Sequence, residues 1–187
     1  MNVELRTGVA GDATAIHNLI EANLSVGHLL PRTFEDIESH VHRFVVAVKD
    51  GQVIGCGELA PLSPEVAEVR SLVVDEACRG QHTGVALVNA LADRARELGY
   101  VTLSAFTHQP SHFVRLGFSI VPHQWVPEKI ALDCVGCSQF RHCGQYAVTL
   151  ALRVGVGLRL EVTAPPARAV AGRRSSVERL RLLPVTA

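Results

Sequence analysis

The chain has 187 residues, and its 48% apolar content suffices for one domain with a buried core. No run of about 20 apolar residues occurs, so a membrane-spanning helix is excluded. Net charge is zero, but residues 1–150 carry 11 Lys/Arg against 16 Asp/Glu, while 151–187 carry seven Arg against two Glu. The body is acidic and the tail basic. Met1-Asn2-Val3-Glu4 lacks the basic-then-apolar form of a secretory leader. A cytoplasmic location with reduced cysteines is therefore expected.

In chain order, residues 3–6 read as a short strand. Asp12 suits the N-cap of a helix whose Ile16, Leu19 and Ile20 share one face. Residues 29–32 form a loop, and Thr33 opens a second helix with Glu35 and Asp36 in its first turn. Residues 44–48 and 52–59 flank Asp50-Gly51, a two-residue hairpin signal. Residues 67–74 form the next strand. A helix over 85–98 places Val88, Leu91, Ala92, Ala95 and Leu98 on one side, and Gly99 ends it. Strands follow over 101–106, 118–121, 125–132 and 146–150, with Pro110 opening a short helix. This order predicts an α/β fold with a mixed, mostly antiparallel sheet flanked by helices. The first 150 residues make that domain. Beyond them, 151–160 alternates as an edge strand would, and the remainder reads as a mobile basic extension.

One stretch carries chemistry. Arg79-Gly80-Gln81-His82-Thr83-Gly84 lies between the strand end Leu72-Val73-Val74 and the helix beginning at Val85. A strand–turn–helix junction leaves backbone N–H groups unpaired at the positive end of the helix dipole, where phosphate binds. Arg79 adds a fixed cation. A tight turn that binds nothing is the plain alternative.

The order V-V-D-x-x-x-R-G-x-x-x-G-x-A-L here, followed by Arg115-Leu116-Gly117-Phe118, resembles the acetyl-CoA-binding motif and the next motif of the GNAT N-acetyltransferases. That resemblance implies residues 72–74 and 79–85 as the acetyl-CoA site. One departure is His82, where the family usually has Gly; its ring would either crowd the pyrophosphate or reach it. Gly27-His28-Leu29-Leu30-Pro31-Arg32-Thr33 further resembles the G-x-L-x-x-R-[ST] segment of the N-acetylglutamate synthase branch, in its short form. The branch implies acetyl transfer to the α-amine of an amino acid, glutamate first, within arginine biosynthesis. Glu68 falls where that branch carries its base, with Glu58 as an alternative. Arg32, with Arg70 and Lys129, is a candidate for binding the acceptor carboxylate. Arg70 could equally neutralise Glu58 or Glu68. Many GNATs place a Tyr acid where this chain has Phe113, leaving Thr107, His108 and His112 nearby.

Cys134, Cys137 and Cys143 form C-x2-C-x5-C, with Asp133, His123 and His142 as further ligand types. The spacing leaves open a zinc site, a redox pair or three ordinary thiols. Cys56 reads as core, and Cys78 sits in a turn. Expected partners are small molecules, with a homodimer left open. The basic tail comes with no recognition helix or aromatic platform, so no specific nucleic-acid binding follows from it. A GNAT for another small amine, or a quiet acetyl-CoA-binding module, are the competing readings.

Overall fold

The computed structural model describes residues 3–27 and 29–153, all in the unit Met1–Gly157. His28 and the extension beyond 153, including the second unit Leu158–Ala187, lie outside the described residues. The strands are β1 (Glu4–Thr7), β2 (Phe44–Lys49), β3 (Gln52–Pro61), β4 (Val66–Val74), β5 (Thr102–Thr107), β6 (Ser119–Val121) and β7 (Tyr146–Ala151). The helices are α1 (Ala13–Gly27), α2 (Phe34–His40), α3 (Thr83–Glu97), α4 (Pro110–Val114) and the single turn α5 (Pro127–Lys129).

The strands form one sheet in the order β1-β2-β3-β4-β5-β7-β6. The β2–β3 hairpin turns at Asp50 (φ 51°) and Gly51 (φ 80°), the paired positive φ angles of a type I′ turn. All neighbouring strands run antiparallel except β4 and β5. That parallel pairing runs from Val66↔Thr102 to Val69↔Ala105 and then stops, although β4 continues to Val74 and β5 to Thr107. The two strands therefore part, leaving the far half of β4 without a β5 partner.

Each face of the sheet has its own core. α3 buries Leu87, Val88, Leu91, Ala92 and Ala95 against Val45, Ala47, Leu59, Val69, Leu103 and Ala105. On the other face, Ile16 and Ile20 of α1 and Ile37 of α2 pack on Phe44, Val46, Cys56 and Val73. Each fully buried Leu or Ile stabilises this packing by about 1.5–3 kcal/mol. Gly57 is what lets α3 come so close: a Cβ there would stand 2.8 Å from Leu91 Cδ1 and 3.3 Å from Leu72 Cδ1.

Two local expectations need revision, and a third is met only by its first residues. Asp12 does not cap α1. It ends a 310 turn (Ala10–Asp12), accepts from the Val9 N–H (2.8 Å) and takes a bidentate pair from Arg6 (2.6 and 2.9 Å). Its carboxylate thus faces back towards β1. Residues 125–132 are not a strand: the 310 turn His123–Trp125, α5 and a π-helical turn, Ile130–Cys134, cover them. Pro127 at the first helical position starts the turn, and Lys129 then pairs with Asp133 at helical spacing (2.9 Å). Of the expected edge strand past residue 150, Ala151 closes β7 and Leu152 is buried, its N–H bonding Val101 O (2.8 Å). The rest lies outside the described residues.

Candidate active site

Register fixes which side chains meet. Phe44 lies on the face packed by α1 and α2, and it pairs with Glu58, which pairs with Arg70; Ala60 pairs with Glu68, and Glu68 with Ser104. Glu58, Arg70, Glu68 and Ser104 thus form a polar floor on that face, next to the apolar part that α1 and α2 cover. Walls come from the α1–α2 loop (Leu29, Leu30, Arg32) and from Lys129, Leu132 and Asp133. The cleft between them measures ≈ 1030 Å³.

Two charge clusters occupy the floor. Glu68 is 3% exposed, and both its oxygens are taken: Oε2 by Arg70 Nε (2.6 Å) and Oε1 by Lys129 Nζ (2.8 Å). Arg70 and Lys129 also hold Asp133, so two cations balance two carboxylates. Lys129 Nζ sits 5.2 Å from the Phe106 ring centre as well. In the second cluster, Arg32 gives Nε to Asp36 (2.5 Å) and Nη1 to Glu58 (2.7 Å) and Ser71 Oγ (3.2 Å). The fork expected for an acceptor carboxylate is therefore engaged by the protein's own acids. Burial alone would lower the Arg32 and Arg70 pKa values, but their hydrogen bonds to and charge from the carboxylates outweigh it, and both are raised. Each guanidinium stays charged.

The turn before α3 has the geometry that phosphate binding needs. Gly80 (φ 78°) has nothing within 4 Å of a notional Cβ, and one on Gly84 would meet only ordinary contacts, His112 at 3.7 Å among them. The first helical bond runs from Ala86 N–H to His82 O (3.0 Å), so the N–H groups of Thr83, Gly84 and Val85 have no intrahelical acceptor. His82, the N-cap, is exposed and left-handed (φ 62°), a conformation that explains why Gly suits this position. Arg79 is tied to Asn23 of α1 (2.5 Å) and to Val74 O (3.2 Å), and it lines the cleft. Gln81 is exposed and Thr83 buried. Leu72 lines the cleft beside the parting strands, and Val74 is half-buried on the α3 side. The Val73 side chain points instead into the α1/α2 core, so only its backbone is open to a ligand.

Sequence reasoning missed three features. Ser71 is left-handed (φ 49°) in β4, opposite a register shift between Cys56 and Glu58. A bulge in a strand leaves little trace in residue type, and Ser gives none. Asp133, a metal-ligand type by its place beside the cysteines, instead closes the Glu68 cluster through Arg70 and Lys129. Asp36 was read as a helix-start acid and also anchors Arg32. Phe113, where a Tyr would supply a proton, is buried against Phe118 (5.2 Å between ring centres). Beside it, His112 lines the cleft, and burial, with help from Arg115, lowers its pKa, so the ring is neutral at pH 7.

The cysteines do not fit a zinc ion. No group of three His, Cys, Asp or Glu side chains among the described residues is arranged to hold a metal. Cys134, Cys137 and Cys143 are free thiols, as are Cys56 and Cys78. Cys56 is core as expected, and burial pushes its thiol up to about 12.

Residues 13–118 match the family described as Acetyltransferase (GNAT) family. An uncharacterized N-acetyltransferase of Chlorobaculum tepidum is 32% identical over 148 residues, covering 79% of this chain and 96% of the relative. An amino-acid acetyltransferase of Shewanella oneidensis is 34% identical over 127 residues, 67% of this chain but only 28% of that longer protein. Among solved structures, a Mycobacterium tuberculosis protein in complex with CoA and NLQ superposes with a TM-score of 0.69 at 26% identity, covering 80% of this chain and 99% of the other. The N-acetylglutamate synthase of Neisseria gonorrhoeae, complexed with coenzyme A and L-arginine, gives 0.68 at 25% identity, covering 81% of this chain and 34% of the other. The chain belongs to the GNAT family of acetyltransferases.

Proposed function

We propose that this acetyltransferase moves the acetyl group of acetyl-CoA onto the α-amine of an amino acid, glutamate first, the reaction class that opens arginine biosynthesis. The observation that carries the reading is Glu68: a buried carboxylate on the floor of a cleft, flanked by two cations, beside the point where β4 and β5 part. The relatives named amino-acid acetyltransferase and the synthase structure support the acceptor class.

The phosphates of acetyl-CoA sit on the N–H groups opening α3, with Arg79 beside them. The unpaired edge of β4 beyond Val69 offers backbone groups to the extended arm of the cofactor, bringing the thioester to the cleft. The acceptor's α-carboxylate shares Arg70 and Lys129 with Glu68. It adds a third negative charge to a balanced set, which favours passing the ammonium proton to Glu68. The freed amine attacks the thioester carbonyl, the C–N bond forms and the C–S bond breaks. The nitrogen gives up its second proton to solvent, coenzyme A leaves as thiolate and takes up a proton from solvent, and Glu68 then releases the proton it accepted. Arg32 holds the α1–α2 loop through Glu58 and Asp36 and keeps Nη2 for a single contact with the acceptor.

The test is release of coenzyme thiol from acetyl-CoA over a panel of glutamate, aspartate, glutamine, polyamines and aminoglycosides. Turnover of amino acids above the other amines supports the reading. Preference for a polyamine moves the protein to a different acceptor class, and acetyl-CoA binding without turnover on any amine makes it a binding module.

A further inference from the structure

Among the described residues, five fixed cations line the cleft: Arg32, Arg43, Arg70, Arg79 and Lys129. Three of them already hold carboxylates of the protein itself. Arg79 is bound to an amide and a carbonyl at the end of the cleft next to α3. Arg43 is different. It is half-buried, and among the described residues its guanidinium makes no hydrogen bond, ion pair or ring contact.

We infer that Arg43 receives the side-chain anion of the acceptor and sets a preference for acidic over neutral amino acids. This inference rests on the amino-acid reading above. Arg43 ends the 310 turn Val41–Arg43, directly before β2. The register Phe44↔Glu58 and Glu58↔Arg70 sets that end of β2 level with Arg70, two strands across the floor from it. Arg79 lies away from it, past the C-terminal end of β4, where it donates to the O of Val74, that strand's last residue. With the amine at Glu68 and the α-carboxylate on Arg70 and Lys129, an acceptor side chain has the Arg43 end left to occupy.

The chemistry favours an anion there. A half-buried guanidinium on the cleft wall that holds no protein carboxylate is open to a bidentate, charge-assisted contact with a ligand carboxylate. Asp36 and His40 also line the cleft, but Asp36 is committed to Arg32 (2.5 Å) and to His40 (3.2 Å). A cationic side chain would meet Arg43 with like charge, which selects against lysine or ornithine as acceptors.

The experiment compares kcat/KM for glutamate and for its neutral isostere glutamine in the full chain, in Arg43→Gln and in Arg43→Lys. The wild-type protein should prefer glutamate. Arg43→Gln should lose about 10- to 100-fold on glutamate, the worth of one charged hydrogen bond, with a much smaller change on glutamine and on the KM for acetyl-CoA. Arg43→Lys should keep part of the preference, since the charge stays and the planar fork is lost. An unchanged glutamate-to-glutamine ratio in Arg43→Gln with an unaltered melting temperature overturns the inference and leaves the amino-acid reading standing. A wild-type preference for glutamine does the same. Absence of turnover on every amino acid overturns both.

Discussion

His82 is the sharpest departure from the family pattern in the cofactor turn, and replacing it by glycine separates strain from ligand contact. An L-residue in the left-handed region costs roughly 1–2 kcal/mol relative to the right-handed helix, and glycine carries no such cost. His82 sits there with φ 62° and ψ 8°, and its side chain makes no capping hydrogen bond to offset the strain. Glycine in turn loses about 0.5–1 kcal/mol more backbone freedom on folding. The difference predicts that His82→Gly stabilises the protein by about 0.5–1 kcal/mol, a rise in Tm of about 1–4 °C for a domain of this size. Thermal unfolding followed by circular dichroism reads this directly, and the KM for acetyl-CoA reads the ligand side. An exposed ring that only crowds the phosphates gives an equal or lower KM in the glycine variant. A Tm lowered by several degrees would refute the strain argument, showing that the imidazole holds the turn together. A steeply raised KM would show that the ring binds the cofactor.

Gly84→Asp should fold normally, because a Cβ at 84 meets nothing closer than His112 at 3.7 Å, yet lose acetyl-CoA binding by calorimetry through charge repulsion at the α3 N-terminus. The hydrogen bonds from Arg6 are the largest cause holding the Asp12 carboxyl below its ordinary value of 3.8. Its contribution to stability is therefore complete above about pH 4 and lost as pH falls through the lower folded-state value. Asp12→Asn should cost about 1 kcal/mol at pH 7 in denaturant unfolding and flatten the acid limb of the stability curve; the estimate is modest because Arg6 is about a third exposed.

Much of the fold was legible because its signals are local. The Asp50-Gly51 hairpin, the apolar stripe of α3 and the glycine turn before it each depend on residues within a few positions of one another. The charged floor of the cleft was not legible, because it is assembled by partners far apart in sequence. Arg32 meets Glu58 26 positions on, Glu68 meets Lys129 after 61, and Arg70 meets Asp133 after 63. Sequence offered Arg32, Arg70 and Lys129 as acceptor-binding cations and allowed that Arg70 neutralises Glu68, as it does, but gave no means of seeing that protein carboxylates also hold Arg32 and Lys129. The same blindness made residues 125–132 look like a strand. Alternation of apolar residues there competed with a proline start and an i,i+4 ion pair whose second partner faces Arg70. Asp12 shows the limit for caps: the residue type was right for a helix start, but Arg6 drew the carboxylate back towards β1.

The base assignment bears most weight, and Glu68→Gln tests it at saturating acetyl-CoA and amino acid. The amide keeps the shape of the floor and can still contact Arg70 and Lys129 through its oxygen, but it cannot accept the ammonium proton. The account predicts a fall in kcat of about 10²–10⁴, with the KM for acetyl-CoA near the wild-type value, and a residual rate that rises with pH as free amine accumulates. Wild-type turnover by Glu68→Gln would contradict it and move proton removal to Glu58 or to a bound water.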